Sequence, residues 1–477
     1  MSTEQKIKFF EKTKAIYPRR VWGKYRKIKW AIMIFAFLVY YLAPWLRWDR
    51  GPNAPDQAIL IDMSNHRAYF FFIEIWPQEV YYFTGLLILA AIGLFFITSM
   101  FGRIWCGYFC FQTIWTDLFV WVERIVQGDR NARMKLDKSR WGWNKIWKKF
   151  VTHLTWIIIS LCTGGAWVFY FNDAPALTEQ ILHFNVDWSV GSWILALTFS
   201  TYLMAGFARE QVCAYMCPYA RFQSAMFDNK TLIISYDETR GEPRGSFKKG
   251  SSMENRGHCI DCTQCAIVCP MGIDIRDGLQ MECIACGLCV DACNNAMDKL
   301  NLPRGLIRYD TAHNMEALAN GCKTEKFRLL RPRTLFYAAI IIFVSSIMLY
   351  SLITRSPVDL SILHDRNPMF VKLSDGSIRN GYSIKILNKT HEDRQYILEV
   401  TDRDGNLIED AKIDIQGATI LDANYLPVFA DSVGHFRVYV VLPSRLTKEN
   451  RTEISFHILD TRSDSQAQTN SIFMSGR

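Results

Sequence analysis

No cysteine follows Thr354, although fourteen stand before it. The long C-terminal segment therefore holds no disulfide, thiol nucleophile or thiolate metal site. Lysine and arginine are missing from a second stretch, Asn172 to Trp188, in a chain that has 55 of them and a net charge of +9. Short basic loops stay in the cytoplasm, so this loop is excluded from that side of a membrane. Charge of either sign is missing from five further stretches, about Trp30–Leu46, Val80–Gly102, Phe150–Phe171, Ser189–Ala208 and Thr334–Thr354. Each is near the ~20 residues needed to cross a bilayer, which excludes an ordinary soluble globule. No small-residue cleavage pattern follows the first stretch, and no removable signal is expected.

Basic residues crowd the segment before the first stretch (Lys6, Lys8, Lys12, Lys14, Arg19, Arg20, Lys24, Arg26, Lys27, Lys29). They also crowd the loop between the second and third (Arg130, Arg133, Lys135, Lys138, Arg140, Lys145, Lys148, Lys149). The N-terminus is therefore expected in the cytoplasm and, after five crossings, the C-terminus outside. This rule and attraction to anionic lipid account for the charge, so the bilayer is a partner and no nucleic acid is implied. Tyr17, Trp22 and Tyr25 are expected at the headgroups. The segment Arg47–Glu79 is broken by Pro52, Pro55 and Pro77. Its aromatic run Ala68–Trp76 is expected to lie along the outer interface.

Eight cysteines fall in two runs of identical spacing. The first is Cys259-x2-Cys262-x2-Cys265-x3-Cys269, followed by Pro270, and the second is Cys283-x2-Cys286-x2-Cys289-x3-Cys293, followed by Asn294. This is the bacterial-type spacing for two 4Fe–4S clusters, in which three close thiolates wrap one cubane and the fourth crosses to its partner. One cluster is assigned to Cys259, Cys262, Cys265 and Cys293, the other to Cys283, Cys286, Cys289 and Cys269. Zinc modules also use C-x2-C, but commonly as two separated pairs for each ion.

The second stretch ends at Gly102-Arg103 and is followed by Cys106-Gly-Tyr-Phe-Cys110. The fourth ends at Arg209-Glu210 and is followed at the same offset by Cys213-Ala-Tyr-Met-Cys217-Pro218. They read as copies of one unit: a helix, a thiol pair at its cytoplasmic end with Tyr108 and Tyr215 in register, and an amphipathic segment on the inner membrane surface. The apolar face of that segment is Ile114, Trp115, Leu118, Phe119, Val122, Ile125 and Val126 in the first copy, and Tyr219, Phe222 and Met226 in the second. If helical, cysteines at i and i+4 share a face, and two such pairs can converge on a four-thiolate site for copper(I), zinc or an iron–sulfur centre. Cys106, Cys110, Cys213 and Cys217 are thus the candidate metal-binding and redox-active residues. Met204, Met216 and Met226 are near enough in sequence to offer thioethers to copper. Cys162 and Cys322 read as packing residues, and His153 as either a functional residue or an interfacial one.

From Ser356 onward the periodicity alternates. Tyr382, Ile384 and Ile386 share a face, and Arg394–Val400, His435–Leu442 and Glu453–Leu459 make further short strands between turn signals at Asp404-Gly405-Asn406 and Ser432-Gly434. This pattern suggests an immunoglobulin-like β-sandwich. The expected organisation is a cytoplasmic basic arm (1–29), a four-span membrane domain (30–230), a cytoplasmic two-cluster ferredoxin domain with linkers (231–333), a fifth transmembrane helix (334–354) and a periplasmic immunoglobulin-like domain (355–477). The chain is thus a multi-domain membrane protein, an α-helical bundle with an inserted ferredoxin and a terminal sandwich. Within the third part, Thr231–Ser252 reads as a linker and Asn314–Leu330 as a short helix.

The order of spans, the paired thiol motifs, the two-cluster insert, the last span and the segment Arg379-Asn-Gly-Tyr-Ser-Ile-Lys-Ile-Leu-Asn388-Lys-Thr together resemble the cytochrome c oxidase accessory proteins known as CcoG, FixG or RdxA. The resemblance covers essentially the whole chain. It implies a bacterial inner-membrane protein that helps build the copper centre of a haem–copper oxidase by reducing copper(II) to copper(I), with oxidase subunits or copper-assembly factors as partners. The family's membrane motifs read C-x3-C-P. Cys213–Pro218 matches, whereas Phe111 stands in place of the proline after Cys110, which bears on the local turn and the symmetry of the site. As a cupric reductase the chain takes electrons from an unidentified cytoplasmic donor. Two other functions fit the same residues: an electron conduit to quinone or a periplasmic partner, with a third iron–sulfur centre at the membrane thiols, and a non-redox scaffold for oxidase assembly.

Overall fold

The computed structural model describes residues 15–51, 54–246, 256–403, 405–408, 410–416, 425–443, 445–446 and 450–476. Lys6, Lys8, Lys12 and Lys14 of the basic arm, the end of the expected linker and Asp404 of one turn signal lie outside the described residues. The chain divides into two compact units, 1–46 with 57–348 and 47–56 with 349–477.

Five helices are long and apolar enough to cross a membrane: Lys24–Trp45, Pro77–Phe101, Trp143–Val168, Trp188–Met216 and Pro332–Ile353. Each covers one of the five uncharged stretches. In the first unit they are α1 (Lys24–Leu42), α2 (Tyr81–Phe101), α6 (Trp143–Val168), α8 (Trp188–Leu203) and most of Pro332–Ile353, with α3 (Ile104–Tyr108), α4 (Phe111–Gln127), α5 (Arg130–Lys138) and α7 (Ala174–Leu182) between them. Small residues set the closest approaches. A methyl group on Gly164 of α6 would stand 2.9 Å from the Ile194 carbonyl of α8, and one on Gly85 of α2 would stand 2.5 Å from Met348 Sδ.

The expectation that α4 lies on the membrane surface is corrected by the structure. Ile114, Trp115, Phe119 and Val122 pack with Met33 of α1, Trp156 of α6 and Ala205, whereas Ile125 is 62% exposed. The opposite stripe is buried as well, because its polar groups find partners inside the protein. Asp117 meets Arg26 and Lys29, Glu123 meets Arg133 and Arg209, and Gln127 donates to Thr152. Arg26, Lys29 and Arg133, read from the sequence as charges of cytoplasmic segments, are therefore also internal counterions. In the helix Pro218–Met226 Ala220 and Gln223 are buried, and Phe222 of the expected face is 66% exposed.

Four other expectations change. The aromatic run folds into an antiparallel sheet of β1 (Ile59–Asp62), β2 (Arg67–Phe70) and β3 (Ile73–Ile75), turning at Phe71 with φ 54° and burying Ala68, Tyr69 and Ile75. Tyr17 and Tyr25, expected at the headgroups, have partners within the protein: Tyr17 donates to Asp137 at 2.8 Å, and Tyr25 packs on Tyr309 with ring centroids 5.1 Å apart. The linker is partly a strand, since β4 (Leu232–Tyr236) pairs antiparallel with β5 (Ile307–Thr311) along one side of the cysteine-rich region. The helix expected over Asn314–Leu330 is shorter and earlier, Ala312–Ala319.

In the second unit a five-stranded sheet holds β6 (Val358–His364), β7 (Val371–Lys372), β8 (Ile378–Asn388), β10 (Lys412–Ile415) and β12 (Ser432–Leu442). A four-stranded sheet holds β9 (Arg394–Asp402), β11 (Tyr425–Val428), β13 (Arg451–Asp460) and β14 (Gln466–Met474). Inward residues alternate, with Tyr382, Ile384 and Ile386 facing Leu398, Val400, Phe456 and Ile458 in one core. Each such side chain contributes about 1.5–3 kcal/mol on burial. Ser432 and Gly434 belong to β12, and the turn lies before them at Asp431, whose φ is 49°.

Candidate iron–sulfur and thiol site

The two cysteine runs share one backbone design. In each, the residues before and after the second cysteine have left-handed φ: Asp261 (52°) and Thr263 (53°) around Cys262, Ala285 (50°) and Gly287 (74°) around Cys286. This conformation is uncommon outside glycine and turns the chain sharply between ligands. Gly287 has a further reason to be glycine, since a Cβ there would stand 2.7 Å from the Tyr25 ring. A helix follows each loop, Gln264–Ile267 and Leu288–Lys299. The second runs on past Cys293, which explains Asn294: a proline would break the helix interior, whereas Asn294 accepts a hydrogen bond from Gly305 N at 3.0 Å.

The thiols sort into two sets. Cys259, Cys262, Cys265 and Cys293 line one hollow of about 350 Å³, with Tyr236, Met297 and Ile307 around it. Cys269, Cys283, Cys286 and Cys289 line a second of about 340 Å³, walled by Ile234, Ile273 and Ile275 and bordered by Cys265. The fourth cysteine of each run has crossed to the other set, as a two-cluster ferredoxin requires. Burial pushes Cys265 and Cys283 up to about 11 and Cys293 up to about 12. Buried thiols of this kind form thiolates only against a compensating cation, and the donor set fits a 4Fe–4S cluster in each hollow. Cys262 is the exposed member of the first set, whose other three thiols are buried, so that set reaches the surface at Cys262.

The membrane thiol motifs are also repeated in the backbone, though not on one helical face. Gly102, with φ 57° and ψ −129°, breaks the chain after α2, and Arg209, with φ 40° and ψ −114°, breaks it after α8. The same number of residues separates Gly102 from Arg209 as separates Cys106 from Cys213. The first cysteine then lies in a short helix (α3) or π-turn (Val212–Met216). The second, Cys110 or Cys217, is extended at ψ 128° or 112° and begins the next helix. Phe111 takes the place of Pro218 at the first helical position without altering this turn, because proline there only presets an angle that other residues can adopt. Arg209 holds its strained conformation through Glu123, 2.6 Å away, and through the Trp156 ring.

Cys106 and Cys213 pack against one apolar cluster that holds Leu288 together with Met271, Ile284 and Cys286 of the second hollow's wall, and Cys269 touches the same cluster. Gly107 sits flush on this wall: a Cβ there would meet the Ile284 carbonyl at 2.6 Å and Cys286 Cα at 3.0 Å. Tyr108 donates to the Cys286 carbonyl at 3.0 Å, and Tyr309 donates to that of Ala285 at 2.6 Å. Tyr215, in register with Tyr108, is 70% exposed, so only the first copy docks through its tyrosine.

All four membrane thiols lie within electrostatic reach of one another. Burial pushes Cys106 up to about 11, while a hydrogen bond from Gln223 Nε2, 3.4 Å from Sγ, works against it and Cys110 adds to it. Arg103, buried and donating to the Ala220 carbonyl, stands near Cys106, Cys213 and Cys283. Among the described residues no three His, Cys, Asp or Glu side chains are drawn together closely enough for a single ion. The same is true of the two ferredoxin sets, whose four thiols each surround a hollow rather than a single point. Met204 and Met216 are exposed. His153 is bonded to Tyr202 at 3.0 Å and stacked on Phe207, a packing role. Sequence reasoning missed Gln223, Arg103 and Gly107; the glycine between two cysteines was the available signal.

Known families match three segments: a 4Fe-4S binding domain over residues 83–128, a 4Fe-4S dicluster domain over 208–312, and the IG-like fold at the C-terminal of FixG over 348–476. Protein RdxB of Cereibacter sphaeroides is 45% identical and covers 98% of each chain. Protein RdxA of the same organism is 46% identical over 90% of this chain and 89% of its own. Nitrogen fixation protein FixG of Rhizobium meliloti is 44% identical over 91% of this chain and 87% of its own.

Proposed function

The chain belongs to the FixG/RdxA family, as a membrane-bound iron–sulfur electron-transfer protein, and on that premise we propose that it reduces copper(II) to copper(I) at Cys106, Cys110, Cys213 and Cys217. The copper serves the maturation of a haem–copper oxidase. The observation that carries this reading is the contact of Cys106 and Cys213 with the wall of the second hollow, closed by Gly107. When bound, the two clusters supply electrons one at a time. The exposed Cys262 side is the entry for a cytoplasmic donor, and the Cys286 side is the exit. Copper(II) held by the thiols gains one electron and becomes copper(I), which soft sulfur ligands favour. Each thiol that binds releases its proton, and Gln223 steadies the Cys106 sulfur. The basic arm supports a cytoplasmic N-terminus in a bacterial inner membrane, with the sandwich periplasmic.

The test is anaerobic reduction of copper(II) by purified, pre-reduced protein, read with a copper(I)-selective chelator. The wild type is expected to yield copper(I), and Cys106→Ala and Cys213→Ala to lose most of it. Equal yields from all three would sink the proposal. A second reading is favoured by the match of residues 83–128, which hold Cys106 and Cys110 but none of the eight ferredoxin cysteines, to a 4Fe-4S binding domain. In that reading the quartet carries a third cluster, and iron analysis gives about twelve rather than about eight atoms per chain.

A further inference from the structure

Where the fifth span begins, the segment 325–332 closes over β5 and the start of the helix Ala312–Ala319 to leave a cavity of about 160 Å³. Its walls carry Lys230, His313, Lys326, Arg328 and Arg331 against one acidic residue, Glu325. Glu325 is shared at 3.9 Å between Lys230 and His313. Arg331 is 8% exposed; it pairs with Asp228 at 3.0 Å and donates to the Ser99 carbonyl at 2.7 Å, but its buried Nε has no hydrogen-bond partner. Lys326 and Arg328 form no ion pair among the described residues. The hollow thus carries two exposed cations outside any ion pair among the described residues, Lys326 and Arg328, beside a buried arginine whose charge Asp228 balances and whose Nε remains free to donate.

A third feature identifies the anion that these cations would take. Leu329 and Leu330, 54% and 78% exposed, stand at the rim directly before Pro332–Ile353, one of the helices apolar enough to cross a membrane. A ligand that fills the site must present a phosphate to the cations and apolar chains to the leucines and the span. We propose that this cavity binds the headgroup of an anionic phospholipid, with its phosphate at Lys326, Arg328 and Arg331 and its acyl chains along Leu329 and Leu330. A zwitterionic lipid brings its own cation into walls that repel it. Because β5 pairs with β4 beside the cluster region, the bound lipid ties the ferredoxin part to the membrane surface. The inference stands independently of the copper reaction.

Free phosphate has the same charge, and the test separates the two. The full-length chain, purified in detergent and stripped of lipid, is titrated with phosphatidylglycerol, phosphatidylcholine and inorganic phosphate, with bound ligand counted by native mass spectrometry. Phosphatidylglycerol is expected to bind more tightly than phosphatidylcholine and to resist displacement by phosphate. Lys326→Gln and Arg328→Gln are expected to weaken it by about fivefold for each charge removed, with iron content unchanged. Equal binding of the two lipids overturns the proposal, as does an affinity that the double variant leaves unchanged. Displacement by millimolar phosphate overturns the lipid assignment in favour of a free-anion site. The comparison of lipids on the unaltered chain stands whether or not the variants fold.

Discussion

Cysteine is used in two kinds of repeat, and they are built to different degrees of completion. In the ferredoxin loops both copies share left-handed residues at matching positions, each fourth cysteine crosses over, and each set of four lines its own hollow. In the membrane motifs the backbone break and the extended second cysteine are repeated, but the copies diverge around them. Gly102 is matched by a strained Arg209, and the buried Tyr108 by an exposed Tyr215. On the proposed function, the first kind would hold the resident clusters and the second the copper that arrives and leaves.

The largest expected effect comes from breaking a ferredoxin set. Cys286→Ser should remove the second cluster and about half of the bound iron, measured by iron analysis and visible absorbance, and abolish copper(II) reduction with it. Next is Glu123→Gln, which leaves the buried Arg133 and the half-buried Arg209 without a full counterion and frees the strained break before Cys213. It should cost about 3–5 kcal/mol, seen as a lower thermal midpoint in detergent, with the ferredoxin iron retained. Gly107→Ala pushes a methyl into the Ile284 carbonyl, and overpacking of this kind costs about 1–3 kcal/mol. It should also slow electron transfer to copper without altering iron content. The smallest is a pH effect at Asp117. Burial raises its pKa, but Lys29 and Arg26 outweigh burial and hold the carboxyl below its ordinary value. Its contribution is therefore complete above the unfolded value near 4 and is lost as pH falls below it. The stability difference between wild type and Asp117→Asn should be present at neutral pH and shrink in acid.

Spacing and periodicity made much of this legible. The grouping of the ferredoxin cysteines around two hollows could be read because a cubane tolerates few loop lengths, and the core of β8 could be read from the alternation of Tyr382, Ile384 and Ile386. What stayed hidden was partnership over distance. Asp117 and Glu123 sit four residues from apolar neighbours that look membrane-bound, and only the approach of Arg26 and Arg209 makes burying α4 affordable. The strands β4 and β5 are five residues each and far apart in sequence, so neither carries a signal without the other. Helical periodicity also misled at the membrane thiols, because the chain breaks at Gly102 and Arg209 before each pair.

Whether electrons cross from the ferredoxin sets to the four membrane thiols is most directly tested by stopped-flow reoxidation of the clusters. Pre-reduced protein is mixed anaerobically with copper(II), and cluster absorbance is followed in the wild type and in the Cys106→Ser/Cys213→Ser double variant. A rapid return of the oxidised spectrum in the wild type, slowed at least tenfold in the variant at equal iron content, is the predicted result. Equal rates in the two proteins would contradict the account.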